Sequence, residues 1–362
     1  MGNLAITYQH IADILSFETS NHKLEKTLSH PSFNWDHIVV EGSKHLVLPA
    51  IYCRLKAKKL LGLLPKELNS YLTEITSLNR NRNEAILKQV HSISQLLNQH
   101  QINYTFLKGS ALIVQDIFED IAERMIGDID ILVDIDQLDN AYHLLITNGY
   151  TPIEQTLGND FFEHKHLPRL KPKHEICAVE LHRKLFVSHS NTELKSKTIL
   201  SKKINRSSVF IPSTEHLLMH NILNFQINDK GTLYNSISFR SAYDTIVLLQ
   251  EYNHKKEWYN KWYNKWYNNK IFKRYFNYTS LFFNEIKIIT NAKSNFFTSF
   301  YLFKLKHIKF YKFWNRLLKL TNFISVMLNR MSTFLLNKSY RKAIINDRKR
   351  IYIYFKSIFD NF

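Results

Sequence analysis

The residues whose spacing carries the most chemistry are Asp128 and Asp130, in the run Gly127-Asp128-Ile129-Asp130-Ile131-Leu132-Val133. The run reads as a strand over Ile129 to Val133, and residues two apart on a strand face the same side. Both carboxylates then point together while Ile129 and Ile131 enter the core. Such neighbours repel one another unless a divalent cation lies between them. Upstream, Leu107-Lys108-Gly109-Ser110 reads as a strand-to-helix turn. Glycine there lets backbone N–H groups approach a phosphate, and the helix N-terminus adds a favourable dipole. Downstream, Val179-Glu180-Leu181-His182 reads as a further strand that can set a third carboxylate beside the pair. Three carboxylates opposite a Gly-Ser turn suit phosphoryl transfer with two cations. One would hold a triphosphate, and the other would lower the pKa of an attacking hydroxyl and orient it.

In this order the motifs resemble the DNA-polymerase-beta nucleotidyltransferase superfamily, and more narrowly a bacterial family described only as uncharacterised nucleotidyltransferases. The resemblance covers residues 30–250. It runs through Asn79-Arg80-Asn81-Arg82-Asn83, Phe106 to Ser110, Arg124, Gly127 to Val133, Leu144 to Tyr150, Val179 to His182, His216 to His220 and Arg240 to Leu249. The resemblance implies that Gly109 and Ser110 contact the triphosphate and that Lys108 and Arg124 sit near the phosphates. By the same resemblance Asp128, Asp130 and Glu180 are the catalytic carboxylates and hold two Mg²⁺ ions, with Mn²⁺ as a substitute. The implied reaction moves a nucleoside monophosphate from an NTP, ATP first, to an acceptor hydroxyl and releases pyrophosphate. The run from Ser110 to Asp128 is longer than in compact members, and Glu175 competes with Glu180 for the third position.

Fold does not choose the acceptor in this superfamily. A small molecule or glycan fits best with a near-neutral body. An RNA- or tRNA-modifying enzyme of toxin type is the first alternative, and a non-catalytic membrane- or partner-binding protein the second. His164, His166, His174 and His182 suggest zinc, but no His-Glu-x-x-His and no cysteine pair accompanies them, so zinc is not expected. His182 shares a face with Glu180 and is expected to pack or to stand behind the ligands. For His216, His220, Arg240 and Asp244 helix packing is expected, with Asp244 paired to a cation.

These groups need a scaffold of both kinds. Residues 1–100 read as helices. His45 to Leu63 has helical spacing with Pro65 as a stop, and Asn83 to Gln99 carries one buried stripe. Ile102 to Leu107 reads as a strand, after which Ser110 could cap a helix through Asp116. Leu138 to Asn148 reads as a helix closed by Gly149. Ile176 to Leu181 reads as a strand after a loop from His164 to His174. Beyond Pro212, Glu215 to Asn224 and Ala242 to Leu249 read as helices. The expected fold is α+β, a small mixed sheet flanked by N-terminal and C-terminal helical regions. The expected units are 1–100, 101–200, 201–251 and 252–362.

Charge divides the chain unevenly. Residues 252–362 hold 23 Lys and Arg against 4 Asp and Glu, whereas residues 1–251 hold 26 against 27. The whole excess of +18 therefore lies in an aromatic, basic tail. That tail can bind nucleic acid, lie on an anionic membrane or pack as amphipathic helices. Within it Glu257 to Asn268 repeats a four-residue unit three times, which on a helix would align its tryptophans. No secretory signal and no apolar run long enough to span a bilayer is visible. Cys53 and Cys177 read as small core residues in a reducing compartment. The expected location is cytoplasmic, with a peripheral place at the membrane.

Overall fold

The computed structural model describes residues 3–154, 158, 161–187, 194–251, 266, 269–290 and 295–359. Apolar residues at three- and four-residue intervals make the first hundred residues helical: α1 (Leu4–Leu15), α2 (Asn21–Leu28), α3 (Trp35–Lys44), α4 (Leu48–Ala57) and α5 (Lys66–Gln99). Asn3, Ser20 and Asn34 cap the first three, each side-chain oxygen accepting a first-turn N–H. The expected helix from His45 to Leu63 is broken in two places. Leu46 takes a left-handed φ of 57° before α4, and a 3₁₀ turn at Leu61–Leu63 follows it. Helical backbone ends at Leu63 ahead of Pro65, as expected, and Pro65 also opens α5. Its missing N–H costs nothing there, because first-turn donors have no helical partner. α5 therefore has 34 residues and begins well before Asn83.

The chain then enters the sheet with β1 (Tyr104–Leu107), followed by α6 (Lys108–Gln115), β2 (Ile129–Val133), α7 (Leu138–Thr147), β3 (Tyr150–Pro152), β4 (Leu170–Pro172) and β5 (Val179–His182). The strand order is β1-β2-β5-β4-β3. β2 and β5 are parallel and the other neighbours antiparallel, so the sheet is mixed. The expected loop from His164 to His174 thus contains β4. Phe106, Leu107, Ile129, Ile131, Val179 and Leu181 are buried between sheet and helices.

After α8 (Ser196–Ser201), β6 (Ile204–Arg206) and β7 (Val209–Ile211) form a separate hairpin. Its turn residues Ser207 and Ser208 both have positive φ, 49° and 67°. Such turns normally announce themselves with Asn or Gly, which is why the sequence hid this one. α9 (Thr214–Leu223) packs on α6 and is followed by a π turn at Asn224–Asn228, α10 (Gly231–Tyr234) and α11 (Phe239–Gln250), which packs on α9. The tail continues as helices Lys270–Thr279, Asn284–Thr290, Phe296–Lys306, Ile308–Leu336, Lys338–Asn346 and Arg348–Phe359. The first three send Phe272, Tyr275, Phe276, Ile286 and Tyr301 into the main core. The tryptophan repeat lies outside the described residues apart from Trp266, which is buried. The fold is α+β with helical flanks.

Candidate active site

The site begins where β1 hands over to α6. Lys108 takes a left-handed φ of 52° and starts the helix. A Cβ at Gly109 would stand 3.0 Å from Ile126 Cγ1, so glycine lets the approach to β2 lie against the first turn of α6. Ser110 does not cap α6 as expected. The helix starts two residues earlier, and the buried Ser110 hydroxyl donates to the Leu107 carbonyl at 2.8 Å. α6 ends at Asp116, whose φ of 58° is left-handed.

Register brings the carboxylates together. Asp130 stands opposite Leu107 on β1 and opposite Glu180 on β5. Because β2 and β5 are parallel and in register, residues 130 and 180 share one row, with His182 two residues on along the same face. His182 Nε2 lies 2.8 Å from Asp130 Oδ1 and 3.5 Å from Glu180 Oε2. The Lys108 ammonium donates to the same Asp130 oxygen at 2.6 Å. Ligand atoms of Asp130, Glu180 and His182 all lie within 4.8 Å of one another. Asp128, half-buried at the rim, is not in that trio. Its carboxylate pairs with Arg169 at 3.2 Å. His182, expected to stand behind the ligands, therefore takes a place in the cluster where Asp128 was expected. Glu175 is removed from the competition, because it accepts the Tyr150 hydroxyl instead.

The electrostatics follow from burial and partners. Burial alone would raise Asp130, but Lys108 and His182 hold its carboxyl well below the usual range. Burial also works against Glu180, and the hydrogen bond from His182 overcomes it to leave that carboxyl lowered. Asp128 is raised, by burial first and then by Asp130 and Glu180, which Lys108 and Arg169 only partly offset. Lys108 is raised overall: its burial is outweighed by Asp130, then Asp128 and Glu180. Such a set of carboxylates fits a divalent cation. Carboxylate oxygens suit Mg²⁺ and Mn²⁺, and the imidazole of His182 favours the softer ion. His182 Nδ1 is buried without a hydrogen-bond partner, which leaves Nε2 as the nitrogen turned to the cluster.

One helix holds the runs into both strands. Asn79 and Asn83 on α5 each donate to the Arg124 carbonyl, and also to Ala122 and Ile121 respectively. Arg80 forks onto Asp120, and Arg82 reaches the carbonyls of Ile126 and Gly127. Further along, Gln89 bonds both the N–H and the carbonyl of Cys177, just before β5. The Asn-Arg-Asn-Arg-Asn run thus positions the approach to β2 through four of its five residues; Asn81 is exposed.

A family model described as uncharacterised nucleotidyltransferase matches residues 31–283, more than two thirds of the chain. The chain belongs to this family. No curated protein matches it. The family match passes residue 250, where the resemblance read from the sequence stopped. It takes in helix Lys270–Thr279, whose aromatic residues complete the core.

A cleft opens beside the cluster, between α6, α9 and α11. Lys108, Arg124, His220, Asn221, Asn224 and Arg240 contribute to its lining. Arg124 is buried and its Nε donates to Asp244 at 3.0 Å, so Asp244 has the expected cationic partner. His220 is buried on the cleft wall with Nε2 unpartnered, and burial, then Lys108, lower its pKa to about 3. Two cations and a histidine from the segment before β4 also stand at the site: Lys165, beside Lys108, and Arg169, on Asp128, were missed, and His166, 3.6 Å from Glu180, was weighed only as a zinc ligand. The only available signal was the density of cations in that segment.

Proposed function

We propose that this protein transfers a nucleoside monophosphate from an NTP, ATP first, to an acceptor hydroxyl, releasing pyrophosphate. The observation that carries the reading is the row Asp130, Glu180 and His182 with Asp128 at its rim, set at the first turn of α6. Asp128, Asp130 and Glu180 would hold the cations, Mg²⁺ or Mn²⁺, with His182 beside them. When bound, such ions neutralise phosphate charge and acidify a hydroxyl. Gly109 and Ser110 offer free N–H groups at the helix start, a natural phosphate seat. Lys108 is near enough to serve a phosphate in place of Asp130, and Arg124 fixes the cleft wall through Asp244.

A small molecule or glycan is the acceptor class that the cleft supports, since Asn221, Asn224, Ser238 and Ser241 line it with neutral donors and acceptors. The two free, buried cysteines support a reducing compartment. The cation excess beyond residue 252 supports an anionic partner, a membrane surface or a nucleic acid.

Calorimetric titration with ATP, with and without Mg²⁺, tests the reading. Wild type is expected to bind only with the metal, and Asp128→Asn/Asp130→Asn to lose that binding. Wild-type protein that binds no NTP with either ion would leave a non-catalytic protein on this fold.

A further inference from the structure

The long tail helix Ile308–Leu336 has 29 residues, about 43 Å of helix, and none of them is buried. One side is fixed to the body. Tyr311 packs against the core, and three turns on Asn322 accepts a hydrogen bond from Lys230 at 2.9 Å. The opposite side carries Leu317, Leu320, Ile324, Leu328, Met331 and Leu335, spaced by three or four residues into one row. They are 40–71% exposed, as Phe313 before them is. Lys309, Lys312, Arg316 and Lys319 recur at the same spacing one position ahead of that row, so they form a shoulder along it. The helix contains no Asp or Glu. Next to its start, Phe296, Phe297 and Phe303 are also exposed.

We infer that this face lies in the plane of an anionic lipid bilayer, its aliphatic row entering the acyl boundary and its cationic shoulder meeting lipid phosphates. The inference narrows the anionic partner proposed for the tail and is independent of the catalytic reading. Charge decides between occupants. A second copy of the helix would set cations against cations with no acid to answer them. A nucleic acid would satisfy the shoulder but offers no apolar medium for Leu, Ile and Met, which cannot stack on bases as rings do. A lipid surface satisfies both rows at once. No described helix is long and apolar enough to cross the bilayer, so the contact is one-sided.

Co-sedimentation of the full chain with phosphatidylglycerol–phosphatidylcholine vesicles, and with phosphatidylcholine alone, tests this. The full chain is expected to pellet with the anionic vesicles and to be released by salt. Leu320→Ser/Ile324→Ser/Leu328→Ser should weaken that binding about ten-fold or more. Lys309→Gln/Lys312→Gln/Arg316→Gln/Lys319→Gln should remove the preference for phosphatidylglycerol. Asp130→Asn should pellet as wild type does, which keeps this test separate from the catalytic one. All substituted tail residues are at the surface, and circular dichroism checks that each variant is folded. Three results overturn the inference: wild type stays in the supernatant; an RNA oligonucleotide binds and only the charge variant loses it; or the serine variant turns a dimer into a monomer in sedimentation velocity without changing vesicle binding.

Discussion

Lys108 and Asp130 are joined across the β1–β2 pair by a 2.6 Å ion pair in which the carboxylate is buried and the ammonium is a quarter exposed. The ammonium stands where a divalent cation's charge would otherwise be needed. Lys108→Met should therefore destabilise the metal-free protein, by roughly 2–3 kcal/mol after discounting for the exposed end. Added Mn²⁺ should recover more stability in the variant than in wild type. Urea unfolding in EDTA and in Mn²⁺ reads both effects, and identical shifts for the two proteins would refute the substitution of one cation by the other.

His182 provides a test of the ligand set. His182→Gln should lower Mn²⁺ affinity by about 10–100-fold and Mg²⁺ affinity less, because an imidazole nitrogen favours the softer ion. Competition titration against a fluorescent chelator measures the two constants. Unchanged affinity for both ions would reduce His182 to a packing residue.

The Arg124–Asp244 pair is buried on both sides, with side chains 10% and 1% exposed. Asp244→Asn should cost about 3–5 kcal/mol, because it leaves a buried guanidinium uncompensated. Arg124→Met combined with Asp244→Leu should cost less than the two single changes added together. Strict additivity in urea melts would show that the pair is not coupled.

Glu123 predicts a pH dependence away from the Asp130, Glu180 and His182 cluster. Burial first, and Glu119 after it, raise its carboxyl to about 7, although the Tyr243 hydroxyl at 2.7 Å and Arg54 pull the other way. The folded protein therefore holds a proton that the unfolded chain gives up near 4.5. The stability tied to that proton is complete below pH 4.5 and is lost as pH rises to about 7, roughly 3 kcal/mol in all. Glu123→Gln keeps acceptor and donor for Asp120 and Tyr243 and should flatten this slope. It should match wild type near pH 4.5 and exceed it above pH 7 in chemical denaturation, and parallel curves would disprove the assignment.

How far the sequence could be read depends on what kind of periodicity each element shows. β2 was legible because its alternation of Asp and Ile is period two, and α7 because Gly149 closes it with a φ of 93°. The start of α5 was not, since Asn79 and Asn83 bury amides for hydrogen bonding rather than apolar groups for packing. Asp130 and Glu180 could each be assigned a face. That they meet is a matter of register, Asp130 opposite Glu180, and register is not written in either strand alone. The same gap hid His182 as a member of the cluster and Arg169 as the partner of Asp128. In the tail, aromatic residues that belong to the core and residues that face outward share one composition, and only packing separates Tyr301 from Phe303.

α5 grips the approach to β2 through Asn79, Arg82 and Asn83, and the approach to β5 through Gln89. The distance between the two carboxylate strands is consequently set by a single rigid rod and by the ladder between them, and not by the residues that join them in the chain. The loops of the segment from Asp134 to Glu175 can therefore change in length while Asp130 and Glu180 keep their separation. Change in those loops need not rebuild the row of Asp130, Glu180 and His182.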